Sequence, residues 1–381
     1  MNSYERVIAA FMKNKVDHVP IYCGSVSSSV ASEVMGYTMY VGGGIQQYRE
    51  SLARFQGEQA HKEFVEKSRQ DAYDWTDKMG LDYVRPSYWR YPYTPSKMLD
   101  EFTFLYKRED NTHWIMRYFE KYELFDCIED TKKQIDDVDD LEEEVIIQEE
   151  YNKRYMPKES MHKEYLDAME YFNYKKASYT GGIGLAIPNT RPIWYEAVIL
   201  RPDLVERYLD ALMERALMNI PLIASIGAKI VNGGGDCACN RGLIYSNEIF
   251  RNLIVPRLKR ISDKCHEYGI FHAFGSDGYF WDVADDLYID SGIDAHYEAD
   301  CSCGMDIRSL RTKYPNVTVI GGIAASTLDK ANEQEVEKEV MEAIDAAKEL
   351  SGAIVGCSNL VSPTTPIRNF MLMMDLLHKY K

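Results

Sequence analysis

The sequence predicts an α/β protein whose strands close into a (β/α)8 barrel. Eight short, β-rich segments occur along the chain, and each is followed by helical sequence. The last five of them begin 22 to 42 residues apart, which is the room that a right-handed βαβ crossover needs. A doubly wound sheet is the alternative, but no G-x-G-x-x-G motif opens a helix.

The elements follow one another in a regular order after a first helix at 3–13. Strands are predicted at 19–24 and 81–89, with charge-rich helical sequence between them at 46–78. The further strands are predicted at 176–184, 228–237, 270–276, 295–300, 317–323 and 353–359, and the helices between them at 202–226, 247–268, 281–291, 304–314 and 333–350. A closing helix runs to Lys381.

Residues 101–172 differ in character from this pattern. FTFLYKRED-NTHWIMRYFEKYELF predicts a hairpin with its turn at 109–111, and IDDVDDLEEEVIIQEE is strongly acidic. The acidic residues lack calcium-loop spacing, so a solvated helix face or loop is favoured over a cation site. We interpret residues 1–381 as one barrel domain, elaborated after its second strand by an insertion or lid at about 101–172.

Composition excludes several classes of protein. The chain has 381 residues and a formal net charge of −16, which disfavours nucleic acid as a partner. Hydrophobic residues make up 45%, enough for a core, but no apolar run reaches the ~20 residues of a membrane span. No secretory signal is visible at the N-terminus, so we expect a cytoplasmic protein whose eight cysteines are reduced.

Candidate site residues follow from the rule that reactive groups of such barrels cluster at the carboxyl ends of strands. Asp236, Glu298 and Cys357 end predicted strands, and His272 lies on one. Histidine, cysteine and carboxylates on one rim are what a zinc site needs. Taken alone, His272 is more often a hydrogen-bonded strand histidine and Cys357 an inert buried thiol. Charged Asp236 and Glu298 are costly in a barrel mouth unless they bind something.

Two further cysteine pairs have weaker metal-site character. Cys237-x-Cys239 and Cys301-x-Cys303 have C-x-C spacing, whereas structural zinc sites use C-x2-C pairs. We therefore rank these pairs below His272 and Cys357.

The chain resembles the uroporphyrinogen decarboxylase superfamily, and within it the zinc-dependent, corrinoid-linked methyltransferases. The resemblance rests on YERVIAAFMKNKVDHVP, RPDLVERYLDALMERA, GAKIVNGGGDCACNRGLIYSNEIFRNLIVPRLKRISDKCHEYGI, FHAFGSDGYFWDVADDLYIDSGID, VTVIGGI and SPTTPIRNF. It implies the barrel fold, and it makes a homodimer an expectation.

The sequence departs from the patterns of both branches. The decarboxylases have an arginine-rich motif after the first strand, where this chain reads CGSVSSSVASEV, so decarboxylation of an anionic tetrapyrrole is disfavoured. The methyltransferases ligate zinc through His-x-Cys on strand five and Cys on strand eight. His272 matches the first position, but Phe274 occupies the second. Counting back from Pro363 puts Asn359 in the third position, with Cys357 two residues earlier.

The leading hypothesis is a methyltransferase that moves a methyl group between a small methylated compound and a corrinoid or thiol acceptor. Zinc would act as Lewis acid, held by His272, Cys357 and Glu298 with Asp236 as fourth ligand or supporting partner. The substrate would be bound by residues that follow strand two, namely Arg85, Tyr88, Trp89 and Arg90. No D-x-H-x-x-G motif is present, so a corrinoid would arrive on a separate partner protein.

Two alternatives stay open. The first is a metal-free decarboxylase or lyase that acts on a smaller acid through Arg85, Arg90, His272 and Asp236. The second is a binding protein that has lost catalysis, since two of the three zinc positions depart from the pattern. Surface salt bridges are an equally good interpretation of Arg85 and Arg90.

Overall fold

The computed structural model describes all residues except Lys133, Gln134 and Ala331. The strands in chain order are β1 (Ile21–Val26), β2 (Tyr83–Val84), β3 (Lys97–Asp100), β4 (Thr103–Lys107), β5 (His113–Phe119), β6 (Leu124–Asp130), β7 (Ala177–Ser178), β8 (Ile230–Gly234), β9 (Ala238–Cys239), β10 (Gly242–Leu243), β11 (Phe271–Gly275), β12 (Ala295–Ala299), β13 (Thr318–Ile323) and β14 (Ala353–Val361).

The helices surround these strands. They are α1 (Ser3–Phe11), α2 (Ser28–Met35), α3 (Gly44–Gln56), α4 (Glu58–Lys78), α5 (Leu141–Arg154), α6 (Lys163–Tyr171), α7 (Ile193–Leu200), α8 (Pro202–Ser225), α9 (Asn247–Ile249), α10 (Val255–Glu267), α11 (Ile307–Lys313), α12 (Ala325–Lys330), α13 (Glu333–Leu350) and α14 (Ile367–Tyr380). A π-helical turn, Phe250–Ile254, joins α9 to α10.

Eight parallel strands form a closed barrel, as the sequence predicted. Their spatial order is β7-β2-β1-β14-β13-β12-β11-β8, which is also their chain order around the ring. The ring closes between its ends at Thr180, which pairs in parallel with Val231. The N–H of Asn232 donates to the Thr180 carbonyl at 2.8 Å. The (β/α)8 prediction is confirmed.

Side chains alternate between the barrel interior and the layer under the helices. Tyr22, Ile230 and Ala273 belong to the inner apolar cluster, whereas their neighbours along the strands pack in the outer one. Helix α1 closes the amino end of the barrel, where the Phe11 and Phe271 rings lie 5.1 Å apart. The carboxyl end stays open as the mouth.

The predicted hairpin is part of a larger antiparallel sheet, β3-β4-β5-β6. β4 and β5 pair across the predicted turn, in which Asn111 has φ 67°. This sheet begins at Lys97, ahead of the predicted insertion, and it packs on α3 through a stack of Tyr48 on Tyr118 at 4.5 Å. That the insertion acts as a lid stays a prediction.

The acidic stretch becomes helix α5, whose acids pair with arginines around α8. Arg207 bridges Glu142 at 3.0 Å and Glu149 at 2.8 Å, and Arg191 pairs with Glu144 at 2.6 Å. The interpretation as a solvated helix face therefore holds, with ion pairs that fasten α5 to its neighbours. Lys133 and Gln134, at the start of this region, lie outside the described residues.

Two helices differ from the sequence-based expectation. The predicted helix at 46–78 is divided into α3 and α4 at Gly57, which has φ 118° and ends the first of them. Helix α2 directly follows β1 and was not predicted, because its serine-rich sequence has weak helix propensity. No described helix combines the length and apolar character that a membrane crossing requires.

Glu123 attaches the inserted sheet to the rim of the barrel. Its carboxylate accepts the N–H groups of Ser28 at 2.8 Å and Ser29 at 2.7 Å, both in the first turn of α2. Glu123 is buried and adopts φ 47°. An anion at a helix N-terminus is stabilised by the free N–H groups and by the helix dipole.

We expect Glu123→Gln to lower the free energy of unfolding by about 1–2 kcal/mol, since a neutral amide is a weaker partner for two N–H groups. Urea denaturation measures the change, and Glu120→Gln is the matched control in the same turn because Glu120 is exposed. Equal stability of the two variants would contradict this role of Glu123.

Candidate active site at the barrel mouth

Glu298 enters the mouth through a β-bulge. In β12, Tyr297 and Ala299 oppose adjacent residues Ile320 and Gly321 of β13, so Glu298 is the extra residue. Regular alternation would direct this side chain outward, because Tyr297 faces inward. The bulge changes that direction and gives Glu298 a φ of 72°. A left-handed conformation is costly for a residue with a Cβ, and such strain concentrates at functional sites.

The electrostatic environment of Glu298 favours its protonated form. Burial raises the pKa of Glu298 to about 7; the Arg85 charge opposes this rise, and Asp277 and Asp236 add to it. No described residue forms a hydrogen bond or ion pair with its carboxylate. A carboxyl group with a pKa near neutrality can give and take a proton in catalysis.

Two aspartates share the mouth with Glu298. Asp277 follows β11 and accepts a hydrogen bond from the Asn359 amide at 2.9 Å. Burial raises the pKa of Asp277, and the Asp236 and Asp300 charges raise it further. Asp236 follows β8 and is exposed. Asp300 is engaged as the N-cap of a 3-10 turn, Cys301–Cys303.

Arg85 is the cation that faces these acids. Its guanidinium donates to the carbonyls of Gly24 at 3.0 Å and Ser87 at 2.9 Å, and it lies 4.4 Å from the ring centroid of Trp89. Its charge has no carboxylate partner within salt-bridge distance among the described residues. An arginine held by carbonyls and an aromatic face keeps donors available for an anionic ligand.

Of the other two predicted substrate-binding residues, Arg90 is engaged elsewhere. It is bidentate to the buried Glu50, at 2.8 and 2.9 Å, and also pairs with Glu164 at 2.9 Å. The salt-bridge interpretation therefore applies to Arg90. Tyr88 is buried, but its ring centroid lies 5.3 Å from the Arg85 guanidinium and it lines the same cavity as Trp89, which is the exposed aromatic residue there.

His272 does not face the mouth. It lies on the outer side of β11, fully buried, and its Nδ1 is 2.8 Å from the Ser262 hydroxyl of α10. Burial lowers the pKa of His272 to about 4. Its neighbour Ala273 takes the inward position. The physical reason is strand alternation, which a sequence match to His-x-Cys does not reveal.

A second bulge separates Cys357 from Asn359. Cys23 and Ser25 of β1 oppose Cys357 and Leu360 of β14, so β14 has one extra residue there. Cys357 is fully buried in the outer cluster, whereas Asn359 is exposed and bonds Asp277. Residues two apart normally share one side of a strand, but at this bulge Cys357 and Asn359 do not.

The predicted zinc donors are therefore not brought together. His272 and Cys357 lie on the outer face and Glu298 and Asp236 at the mouth, and no group of three or more such side chains in the described part of the chain is arranged to hold a metal ion. The Cys301–Cys303 pair is also otherwise engaged: Cys301 donates to Glu339 at 3.2 Å and Cys303 to Asp300 at 3.4 Å. These residues do not fit zinc.

A histidine that the sequence analysis missed lines a cavity of about 220 Å³ beside Arg85 and Trp89. His162 is buried, and its Nδ1 lies 2.7 Å from the Thr180 hydroxyl. Burial lowers the pKa of His162, which favours the neutral ring. It comes from the segment before α6, where no strand end drew attention to it.

Comparison with known proteins identifies the superfamily. Residues 191–380 match the family described as "Uroporphyrinogen decarboxylase (URO-D)". The chain belongs to the uroporphyrinogen decarboxylase superfamily, which is a superfamily of enzymes, and this confirms the resemblance read from the sequence. No curated protein sequence matches the chain significantly.

Among solved structures, the chain is similar to a methyltransferase from Methanosarcina mazei, with a TM-score of 0.65, 16% identity, and coverage of 100% of this chain and 99% of that one. At this identity the similarity shows a shared fold. A xylose isomerase-like TIM barrel protein from Mycobacterium smegmatis also matches, with a TM-score of 0.29 and 11% identity over 58% of this chain and 79% of that one.

We expect Glu298→Gln to change the pH dependence of stability. The folded pKa is raised above the unfolded one, so the unfolded state loses its proton first and the wild type loses stability as pH rises from about 4.5 to about 7. Urea midpoints at pH 5 and pH 8 should show that the wild type loses roughly 2 kcal/mol relative to the variant. If the wild type and the variant changed in stability by the same amount between pH 5 and pH 8, the raised pKa of Glu298 would be contradicted.

Metal content provides a second test. For protein purified without chelator, we expect His272→Ala and Cys357→Ala to leave the zinc content of the wild type unchanged, because neither side chain reaches the mouth. His272→Ala should still cost about 2 kcal/mol of stability, since it empties a buried, hydrogen-bonded position. Elemental analysis would contradict us if about one zinc per chain were lost in either variant.

Proposed function

We propose that the protein is a methyltransferase that takes a methyl group from a small carboxylate-bearing compound and passes it to a thiol or corrinoid acceptor. The observation that carries the proposal is that two groups of opposite character lie at the same mouth. Arg85 has no carboxylate partner among the described residues, and Glu298 is a carboxyl group of raised pKa on a strained bulge. The shared fold with the Methanosarcina mazei methyltransferase is consistent with it.

Arg85 is the proposed anchor of the substrate. Its guanidinium donors and the adjacent Trp89 ring suit a carboxylate attached to a compact organic group. The acids of the mouth would repel a ligand with several negative charges. This favours a small monoanion over a tetrapyrrole with many carboxylates.

Glu298 is the proposed proton donor. As the bond between the methyl carbon and its heteroatom breaks, the heteroatom keeps the electron pair and takes the Glu298 proton, while the methyl carbon bonds to the acceptor. With a thiolate acceptor the products are the demethylated acid and a methyl thioether, and Glu298 is left as carboxylate. A general acid with a pKa near the working pH suits this step.

The acceptor would approach from the open carboxyl end of the barrel. A corrinoid on a partner protein is the acceptor that the superfamily resemblance implies, and a small thiol is the simpler one. The predicted zinc ligands lie apart, two under the helices and two at the mouth, so the proposed transfer relies on Arg85 and Glu298.

A second candidate is a decarboxylase or lyase that acts on a small acid, and the family description favours it. It would use the same pair of residues: Arg85 would hold a carboxylate, and Glu298 would protonate the carbanion that remains when carbon dioxide leaves. The two candidates differ in product, since only the first produces a methylated acceptor.

We expect the purified chain to demethylate small methylated carboxylates in the presence of a thiol, or of free cobalamin reduced to cob(I)alamin with a chemical reductant, as followed by mass spectrometry. Glu298→Gln should lower kcat at least 100-fold and Arg85→Met should raise KM at least tenfold. Activity should fall as pH rises through about 7, because Glu298 then loses its proton.

Arg308→Met is the control, since Arg308 lies on an exposed outer helix paired with Glu349. Release of carbon dioxide without a methylated acceptor would replace the methyltransferase by the second candidate. Binding of carboxylates without any turnover would favour a non-catalytic homologue.

A further inference from the structure

Four tyrosines form a layer inside the barrel, directly below the mouth. Ring centroids are 5.6 Å apart for Tyr22 and Tyr83, 5.4 Å for Tyr83 and Tyr179, 5.9 Å for Tyr179 and Tyr297, and 5.4 Å for Tyr297 and Tyr22. The four contacts close a ring, which we call the tyrosine floor. Tyr22, Tyr83 and Tyr297 are buried, whereas Tyr179 is partly exposed and lines the cavity beside Arg85, so a ligand at Glu298 would meet the floor at Tyr179.

The Tyr22 hydroxyl of this floor lacks a partner. Tyr22 is 1% exposed, and its Oη forms no hydrogen bond. The side chain leans toward the mouth: a Cβ added at Gly24, two residues nearer the carboxyl end, would lie 2.0 Å from that oxygen. Gly24 is also the residue whose carbonyl holds Arg85. A buried hydroxyl without a partner costs free energy, so this one points to a polar ligand group.

The acids above the floor also lack counter-charges. Neither Glu298 nor Asp236 has a hydrogen bond or ion pair with any described residue, and Asp277 is bonded by the neutral Asn359 amide. Arg85 donates two hydrogen bonds to backbone carbonyl groups and none to these acids. Glu298 and Asp277 are half-buried. Carboxylates removed from water are normally paired with a cation, so the mouth is short of positive charge.

The missing charge fits an organic cation better than a metal ion. The described acids are not arranged as a metal-binding group of three. An aromatic floor attracts an alkylated ammonium through the negative faces of its rings, and carboxylates beside it add Coulombic attraction. Arg85, on the same mouth, suits a carboxylate on the same molecule.

We propose that the methylated atom of the substrate is a protonated nitrogen, held between Glu298, Asp236 and the tyrosine floor, so that the substrate is an N-methylated amino acid bound as a zwitterion. This inference rests on the proposed function and specifies its methyl donor. The nitrogen is already protonated when it binds and is therefore a leaving group as it stands, so Glu298 acts here as its ionised counter-charge and not as the proton donor that an ether would need. When the carbon–nitrogen bond breaks, the nitrogen keeps the electron pair, and the methyl carbon bonds to the thiolate acceptor.

The test compares three small carboxylates by calorimetry on the intact protein: N,N-dimethylglycine; its isostere isovalerate, in which an uncharged CH group replaces the ammonium; and the ether methoxyacetate. We expect dimethylglycine to bind at least tenfold more tightly than either of the others. Glu298→Gln should reduce this preference at least threefold. Tyr22→Phe should weaken dimethylglycine binding while the urea midpoint is kept or raised, because a buried hydroxyl without a partner does not stabilise the free fold.

Tyr268→Phe, at an exposed tyrosine on the outer surface, is the matched control and should leave binding unchanged. Equal or tighter binding of isovalerate or methoxyacetate overturns the inference. If methoxyacetate is demethylated while dimethylglycine is neither bound nor turned over, the inference falls and the proposed function stands. If none of the three carboxylates binds, both the inference and the proposed function are wrong.

Discussion

The bulge at Glu298 is the constraint on which the candidate site depends. In a closed barrel every strand residue faces either the packed interior or the helices, and a single extra residue in β12 gives this carboxylate a third direction, toward the mouth. The cost is a left-handed backbone at a residue with a Cβ and a carboxyl group that is partly removed from water. The fold tolerates this because β11 and β13 hold the strand on both sides.

The same alternation explains why the superfamily's metal pattern does not carry over. His272, at the matching position of β11, and Cys357, two residues before the matching position of β14, lie under the helices, where they act as packing and hydrogen-bonding groups. Among the described residues, a guanidinium, several carboxylates, aromatic rings and the imidazole of His162 reach the mouth or its adjoining cavity. Such a set suits a charged organic molecule and proton transfer, and it contains no group of three side chains arranged to hold a metal ion.

The inserted sheet supports this mouth from one side. It is fastened by the Glu123 carboxylate on the first turn of α2 and by aromatic stacking on α3. Helix α2 follows β1 directly, so the attachment lies on the rim of the site. The chain thus uses an internal carboxylate at a helix N-terminus where the decarboxylases, by resemblance, have an arginine-rich motif.

The sequence alone determined the barrel, because strand and helix periodicity and crossover lengths are local properties. It also selected Arg85, Asp236 and Glu298, because the carboxyl ends of strands can be read from hydrophobic runs and the charges that end them. The tertiary structure decided which side chains face one another. His272 and Cys357 were mistaken for mouth residues because facing depends on register across neighbouring strands. The two bulges change that facing by one residue. His162 and the tyrosine floor were missed since they are brought together only by closure of the sheet.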